Sequence, residues 1–185
     1  MSTLKLTGSS SGSTSLTAPA SGSDRAIAFP DIAGTVGLVG RSNDPCFAVS
    51  RVTSHQDIST STTTIVEFNQ EDLDSDSAWN SSTHRFTPQV AGWYDISSQI
   101  CFNTSAENHW MIIYIYKNGS AHSWYQLHTD NRAVDHLLHI NRMINLNGSS
   151  DYIDIRVWQD AGATRGLQHR NGQVSWAQGF LVRAT

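Results

Sequence analysis

The sequence predicts an all-β protein, and three observations support that fold class. From Cys46 onward, apolar residues recur at every second position. Asparagine–glycine pairs at 118–119, 147–148 and 171–172 punctuate the alternation in the manner of turns. No segment carries an apolar stripe at helical spacing with capping residues at its ends. About eight to ten strands follow, which suits a sandwich or a jelly roll.

The elements follow in chain order. Residues 47–52 (FAVSRV) and 62–69 (TTTIVEFN) form the first strands. In "GWYDISSQICFN", Tyr94, Ile96, Ser98, Ile100 and Phe102 share one face, and Trp93, Asp95, Ser97, Gln99 and Cys101 the other. The strand "HWMIIYIYKNG", His109 to Gly119, breaks the pattern. Trp110, Ile112, Tyr114 and Tyr116 oppose Met111, Ile113 and Ile115, so both of its faces are apolar. An antiparallel sandwich strand normally wets one face. A loop of the same chain or a neighbouring subunit must cover the second, and the aromatic content favours a subunit. Residues 120–131 (SAHSWYQLHTDN) are expected as an aromatic loop, where Trp124 and Tyr125 either stack on a sugar or pack beneath the loop. Further strands are expected at 133–146 and 174–184. Between them, in 152–159, Ile153, Ile155 and Val157 alternate with Asp154, Arg156 and Trp158.

The composition changes near residue 40. Before it there is no Trp, Tyr, Cys or His, and Phe29 is the one aromatic residue. A boundary within Val39–Asp44 divides an N-terminal segment, 1–40, from a head domain, 41–185. Within the segment, Leu4, Leu16, Ile27 and Leu38 are spaced by 12, 11 and 11 residues with turn residues between. That period suits a thin repeated β-unit that needs neighbours to bury its apolar side. A flexible Gly/Ser linker, or an arm that orders only on another protein, are the alternatives.

Several function classes are disfavoured. The 185 residues are 38% hydrophobic and 15% charged, with net charge −4, so no basic footprint for nucleic acid exists. No apolar run approaches the ~20 residues of a membrane span, and "MSTLKLTGSS" lacks the layout of a secretory signal. Cys46 and Cys101 offer neither a disulfide framework nor a CxxC pair, and are expected as buried free thiols. His136 and His139 stand three apart on a strand, so they point to opposite faces and cannot chelate together. His139 is the candidate to gather on the axis of a homotrimer. Asp72, Asp74 and Asp76 suggest a calcium loop, but its sixth and twelfth positions hold Ser77 and Thr83 where Gly and Glu belong. No GxSxG elbow occurs. No enzyme activity, metal or cofactor is expected.

Two resemblances refine this picture. Phe68-Asn69, then Phe86, Pro88, Gly92 and Tyr94 opening a long strand, then "IYIYKNG", "MINLNGSSDYIDIRVW" and "SWAQGFLV", resemble the globular head of complement component 1q, which shares a superfamily with tumour necrosis factor. The resemblance covers about residues 46–185, and a Ser-Ser insertion before Asp151 departs from the pattern. It implies a ten-stranded jelly roll that trimerises about a threefold axis and binds rather than catalyses. The N-terminal stretch, with Phe29, Pro30, Asp31, Gly34, Thr35 and Val36, is similar to segments of bacteriophage tail-fibre and virion proteins.

The expected role is therefore a non-enzymatic, homotrimeric phage virion structural protein, a capsid decoration, cement or head-fibre protein assembled in the host cytoplasm. The expected trimer interface is Trp110, Ile112, Tyr114, Tyr116 and His139. The expected attachment to other virion proteins runs through Leu16, Ile27, Phe29, Pro30 and Val36. The alternative is a short tail fibre or tail tip that binds a host-surface glycan. A secreted lectin would need an export signal.

Overall fold

A computed structural model describes residues 3–7, 13–17, 44–105, 108–130 and 134–185. The chain divides into two compact units, Met1–Val36 and Gly37–Thr185. In the first, β1 (Thr3–Thr7) and β2 (Ser13–Thr17) pair antiparallel, with Leu4 opposite Leu16. The 12-residue spacing of this pair is thus the register of a hairpin. Of the attachment residues expected above, Leu16 lies on β2, whereas Ile27, Phe29, Pro30 and Val36 lie outside the described residues.

The second unit is a β-sandwich. Its strands are β3 (Cys46–Ser50), β4 (Gln56–Ile58), β5 (Thr64–Ile65), β6 (Gln70–Asp74), β7 (Trp79–Asn80), β8 (Arg85–Phe86), β9 (Ala91–Ser105), β10 (Trp110–Lys117), β11 (Ser120–His128), β12 (Val134–Asn147), β13 (Ile153–Gln159), β14 (Arg165–Leu167) and β15 (Trp176–Ala184). A single 3₁₀ turn spans Arg170–Gly172. One sheet has six strands in the order β11-β10-β13-β8-β7, with β5 also on β13. The other has seven, β4-β14-β9-β15-β3-β6, with β12 along β9. Every pairing is antiparallel.

The inward faces of the two sheets meet in the core. Tyr94, Ile96, Ile100 and Phe102 of β9 and Leu138, Ile140, Ile144 and Leu146 of β12 pack against Met111, Ile113 and Ile115 of β10 and Ile153, Ile155 and Val157 of β13. Phe86 links the layers, stacked on Phe47 at 4.5 Å and edge-on to Tyr94 at 5.7 Å. The predicted alternation of β9 holds from Trp93 to Ile100 because one side of the strand faces this core, and Cys101 departs from it by being buried on the outward side. Ser98 is tolerated there because its hydroxyl donates to the Trp176 carbonyl at 2.8 Å. The Tyr94 hydroxyl donates to the Val90 carbonyl at 2.7 Å, and burial pushes the phenol up to about 12.

Two glycines are required by geometry. Gly148 has φ +69, and a Cβ on it would fall 2.1 Å from the Ala91 nitrogen. Gly92, at the start of β9, brings its backbone so close to β15 that a Cβ would meet the Arg183 carbonyl at 2.5 Å.

Two elements differ from expectation. The strand expected at 62–69 shortens to Thr64–Ile65. Beyond it, side chains replace a strand partner: the Glu67 N–H donates to Gln56 Oε1 at 2.9 Å, and Arg51 Nη1 donates to the Glu67 carbonyl. The segment expected as a loop from residue 120 is instead the nine-residue strand β11. Asn118 and Gly119 both adopt positive φ and turn the chain so tightly that Lys117 pairs with Ser120. As an edge strand, β11 fully buries no side chain, with Leu127 packed partly against the core, and so shows little apolar alternation.

Candidate functional site

The sandwich presents two outward faces, and they differ in chemistry. On the six-stranded sheet, strand register aligns Ile112 with Gln126 and Trp158, Tyr114 with Trp124 and Arg156, and Tyr116 with Asp154. Trp110 packs edge-on against His128 at 4.6 Å, and Tyr114 against Tyr116 at 5.6 Å. Asp154, fully buried, accepts hydrogen bonds from Arg156 Nε at 2.6 Å and Nη2 at 3.2 Å, with Arg85 Nε 3.5 Å away. The Arg156 guanidinium lies 4.1 Å over the Tyr116 ring, and that of Arg85 4.1 Å over Tyr152. The bonds to Asp154 hold the Arg156 pKa above its ordinary value, against burial that lowers it. Burial, then the neighbouring Tyr116, raises that of the Tyr114 phenol.

The outward face of the seven-stranded sheet mixes open apolar side chains with polar ones. Register places Asp95 between Met143 and Phe180, Gln99 between His139 and Trp176, and Leu137 beside Cys101. Leu137 is 54% exposed, Met143 46% and Phe180 37%, with Val182 and Trp93 also open. Ser97 Oγ and His139 Nε2 lie 3.1 Å apart, within hydrogen-bonding distance. From Leu137 to Met143 the face runs about 20 Å along β12.

The residues expected at a trimer interface are thus divided. Trp110, Ile112, Tyr114 and Tyr116 form one outward row on β10, while His139 lies on the opposite sheet. Part of the cover that the β10 row needs comes from Arg156 and from its own rings, so Ile112, Tyr114 and Tyr116 are half-buried within one chain. Trp124 and Tyr125 are exposed but point to opposite sides of β11, and do not form a joint platform.

Other candidates resolve individually. His136 is buried and His139 exposed, on opposite faces as alternation requires. Asp72 accepts from Ser50 Oγ at 2.8 Å, while Asp74 caps a turn by accepting from the Ala78 and Trp79 N–H groups at 2.9 and 3.1 Å. Among the described residues no three His, Cys, Asp or Glu side chains converge as a metal site. Both cysteines are free. Cys101 is buried, and burial, more than the nearby Asp135 carboxylate, pushes its thiol up to about 11. Contrary to expectation Cys46 is only half-buried, because it opens β3 close to the Asp44 carboxylate. Among the described residues no helix is long and apolar enough to cross a membrane.

One cavity, of about 290 Å³, lies where β11 ends and β12 begins. Leu127, His128, Thr129, Asp130, Val134 and His136 line it. Sequence reasoning missed this cavity, the Asp154 cluster and the Leu137–Met143 face. The i, i+2 spacing of Asp154 and Arg156 on a strand was a legible signal for the second, and the shared parity of Leu137, His139 and Met143 for the third.

The sandwich defines a class: a jelly-roll head of the kind seen in complement 1q and tumour necrosis factor proteins. The globular domain of zebrafish complement 1qA superposes with TM-score 0.56 at 16% identity, covering 77% of this chain and all of that one. Eiger TNF from S. frugiperda gives 0.59 at 9% identity over 78% of this chain and 96% of its own. Murine APRIL at pH 5.0 gives 0.55 at 12% identity over 74% and 97%. No protein-family model matches the sequence, and no curated protein matches it. Likeness at these identities establishes the fold.

Proposed function

We propose that this chain is a non-enzymatic virion structural protein that assembles as a homotrimer and displays its head on a phage particle, as a capsid decoration, cement or head-fibre protein. The observation that carries the assembly is the set of exposed apolar side chains on the seven-stranded sheet, Leu137, Met143 and Phe180, with His139 among them. Wet apolar surface forgoes about 25 cal/mol per Å², and several large apolar side chains open on one face favour a contact between proteins. A threefold ring closes when such a patch meets a different surface of the next copy, and the β10 row supplies one candidate for it. The threefold arrangement follows the resemblance carried by Phe86, Pro88, Gly92 and Tyr94.

The N-terminal unit supports the same proposal. Among the described residues of this unit β1 and β2 pair with each other, and since two strands by themselves are marginal in water, neighbouring copies or a virion partner would add stability. Attachment is assigned to Leu16, Ile27, Phe29, Pro30 and Val36. Native mass spectrometry of the full chain tests assembly: a trimer is expected, and a stable folded monomer overturns it. Copy number in purified particles tests the role, with hundreds per virion expected for decoration. About a dozen would favour the second proposal, a short tail fibre or tip that binds a host-surface glycan. The exposed indoles of Trp110 and Trp124 favour that alternative.

A further inference from the structure

We infer that Asn171 is a site of spontaneous deamidation, and that the fold directs this modification to it over the two other Asn–Gly pairs of the chain. The chemistry is common to all three pairs. The glycine amide nitrogen attacks the Asn Cγ and forms a new C–N bond, the Cγ–Nδ2 bond breaks, and ammonia leaves. One water molecule then opens the resulting five-membered imide, giving aspartate or a β-linked isoaspartate. Glycine favours the attack because no Cβ obstructs the approach of its nitrogen. The Asn–Gly dipeptide alone ranks the three pairs equally, whereas their hydrogen-bond partners do not.

Ring closure requires the Asn side chain to swing onto the following nitrogen, so each bond that holds it elsewhere opposes reaction. At Asn118 both ends are held: Nδ2 donates to Asp151 at 2.7 Å, and Oδ1 accepts the Tyr152 N–H at 3.0 Å. At Asn147, Oδ1 accepts the N–H groups of Ser149, Ser150 and Asp151 at 3.0, 3.0 and 2.9 Å, and Nδ2 donates to Ser150 at 3.0 Å. The backbone of Gly148 is also pressed against Ala91, which leaves little room for the rotation. Asn171 is exposed, and no hydrogen bond to a described residue holds its side-chain amide.

The backbone adds a second distinction. Arg170, Asn171 and Gly172 have φ of 37, 55 and 81 degrees, three successive left-handed residues of which two carry a Cβ. Residues with a Cβ adopt this conformation singly and at a cost. The turn is closed by the Gly172 N–H to the His169 carbonyl at 2.8 Å, the Gln173 N–H to the Arg170 carbonyl at 3.3 Å, and the Asn171 N–H to His169 Nδ1 at 3.4 Å. Opening the first of these frees the attacking nitrogen, and release of the strained φ angles offsets part of that cost. The product is a new carboxylate beside Arg170, whose guanidinium pairs with Asp135, and it leaves the chain one unit more negative than −4. This modification goes beyond the virion proposal and does not depend on it.

The test is peptide mapping by mass spectrometry on the native full-length protein, aged in mildly alkaline buffer at body temperature. The peptide holding Asn171 is expected to convert about tenfold faster than those holding Asn118 and Asn147. In urea the three rates are expected to converge, because the bonds that protect the other two are lost. Asn171→Gln should remove the first acidic species seen by isoelectric focusing. Should that variant not fold, the mapping of the unaltered chain decides. Conversion at Asn118 or Asn147 as fast as at Asn171, or no conversion at Asn171, overturns the inference. So does a preference for Asn171 that persists in urea, which would assign it to neighbouring sequence rather than to the fold. Trimer formation is measured separately, so either result leaves the assembly proposal standing.

Discussion

The outward faces of the two sheets are built on the same pleat but satisfy themselves differently. On the six-stranded sheet several large side chains are partnered within the chain, while Trp110 and Trp124 stay open: Arg156 covers Tyr116, Arg85 covers Tyr152, and both arginines flank the buried Asp154. On the seven-stranded sheet Leu137, Met143 and Phe180 have polar or small lateral neighbours and stay open. Aromatic and cationic groups can shield one another side by side through stacking and ion pairing. Aliphatic side chains gain only by leaving water, so the open Leu137 and Met143 favour a second chain on this face. A face rich in aromatic residues is therefore not by itself an unmet demand for a partner.

This contrast can be broken experimentally. The largest effect is expected from Leu137→Glu combined with Met143→Glu, which should weaken assembly more than about a hundredfold by sedimentation equilibrium. Trp124→Glu, beside Tyr114 on the other face, should weaken assembly less; the reverse order would exchange the roles of the two faces. Next, Asp154→Ala strands two guanidinium groups and should cost about 3–5 kcal/mol in urea unfolding. Asp95→Ala, on the seven-stranded sheet, removes one hydrogen bond from Asn141 and should cost about 1 kcal/mol.

A smaller effect concerns the turns that join the sheets. Hydrogen bonds from Lys117 and then Asn118 hold the Asp151 carboxyl below its ordinary range. Its folded pKa is depressed, so its contribution is complete above the unfolded value near 3.8 and disappears as pH falls through the folded one. Asp151→Asn should cost about 1–2 kcal/mol at neutral pH and flatten the acid limb of stability below pH 4. The smallest effect is at Cys101, whose thiol rises from 9.0 to about 11 on folding. Its contribution is present below pH 9 and is lost as pH rises towards 11, because the unfolded chain ionises first. Cys101→Ala should shallow that alkaline limb, and the native thiol should resist alkylation at pH 8.

Much of the head was legible because burial of one strand face imprints a period of two. Tyr94 to Phe102 and Ile153 to Val157 show it plainly. The strand β11 escaped because an edge strand that fully buries no side chain imprints little, and only the Asn118–Gly119 turn announced it. The β10 row was recognised as unusual, and part of its cover comes from within the chain. The Arg156 that shields it lies forty residues after Tyr116 in the chain.

By itself the sequence determined the class of fold and which residues face inward, since alternation is a local property that each strand carries alone. The tertiary structure decided who stands beside whom. Asp154 between Arg85 and Arg156, Met143 near Phe180, and His136 lining a cavity with Asp130 all arise from strand register and chain reversal. Lateral neighbours in a sheet come from segments distant in sequence, and no single strand's periodicity encodes them.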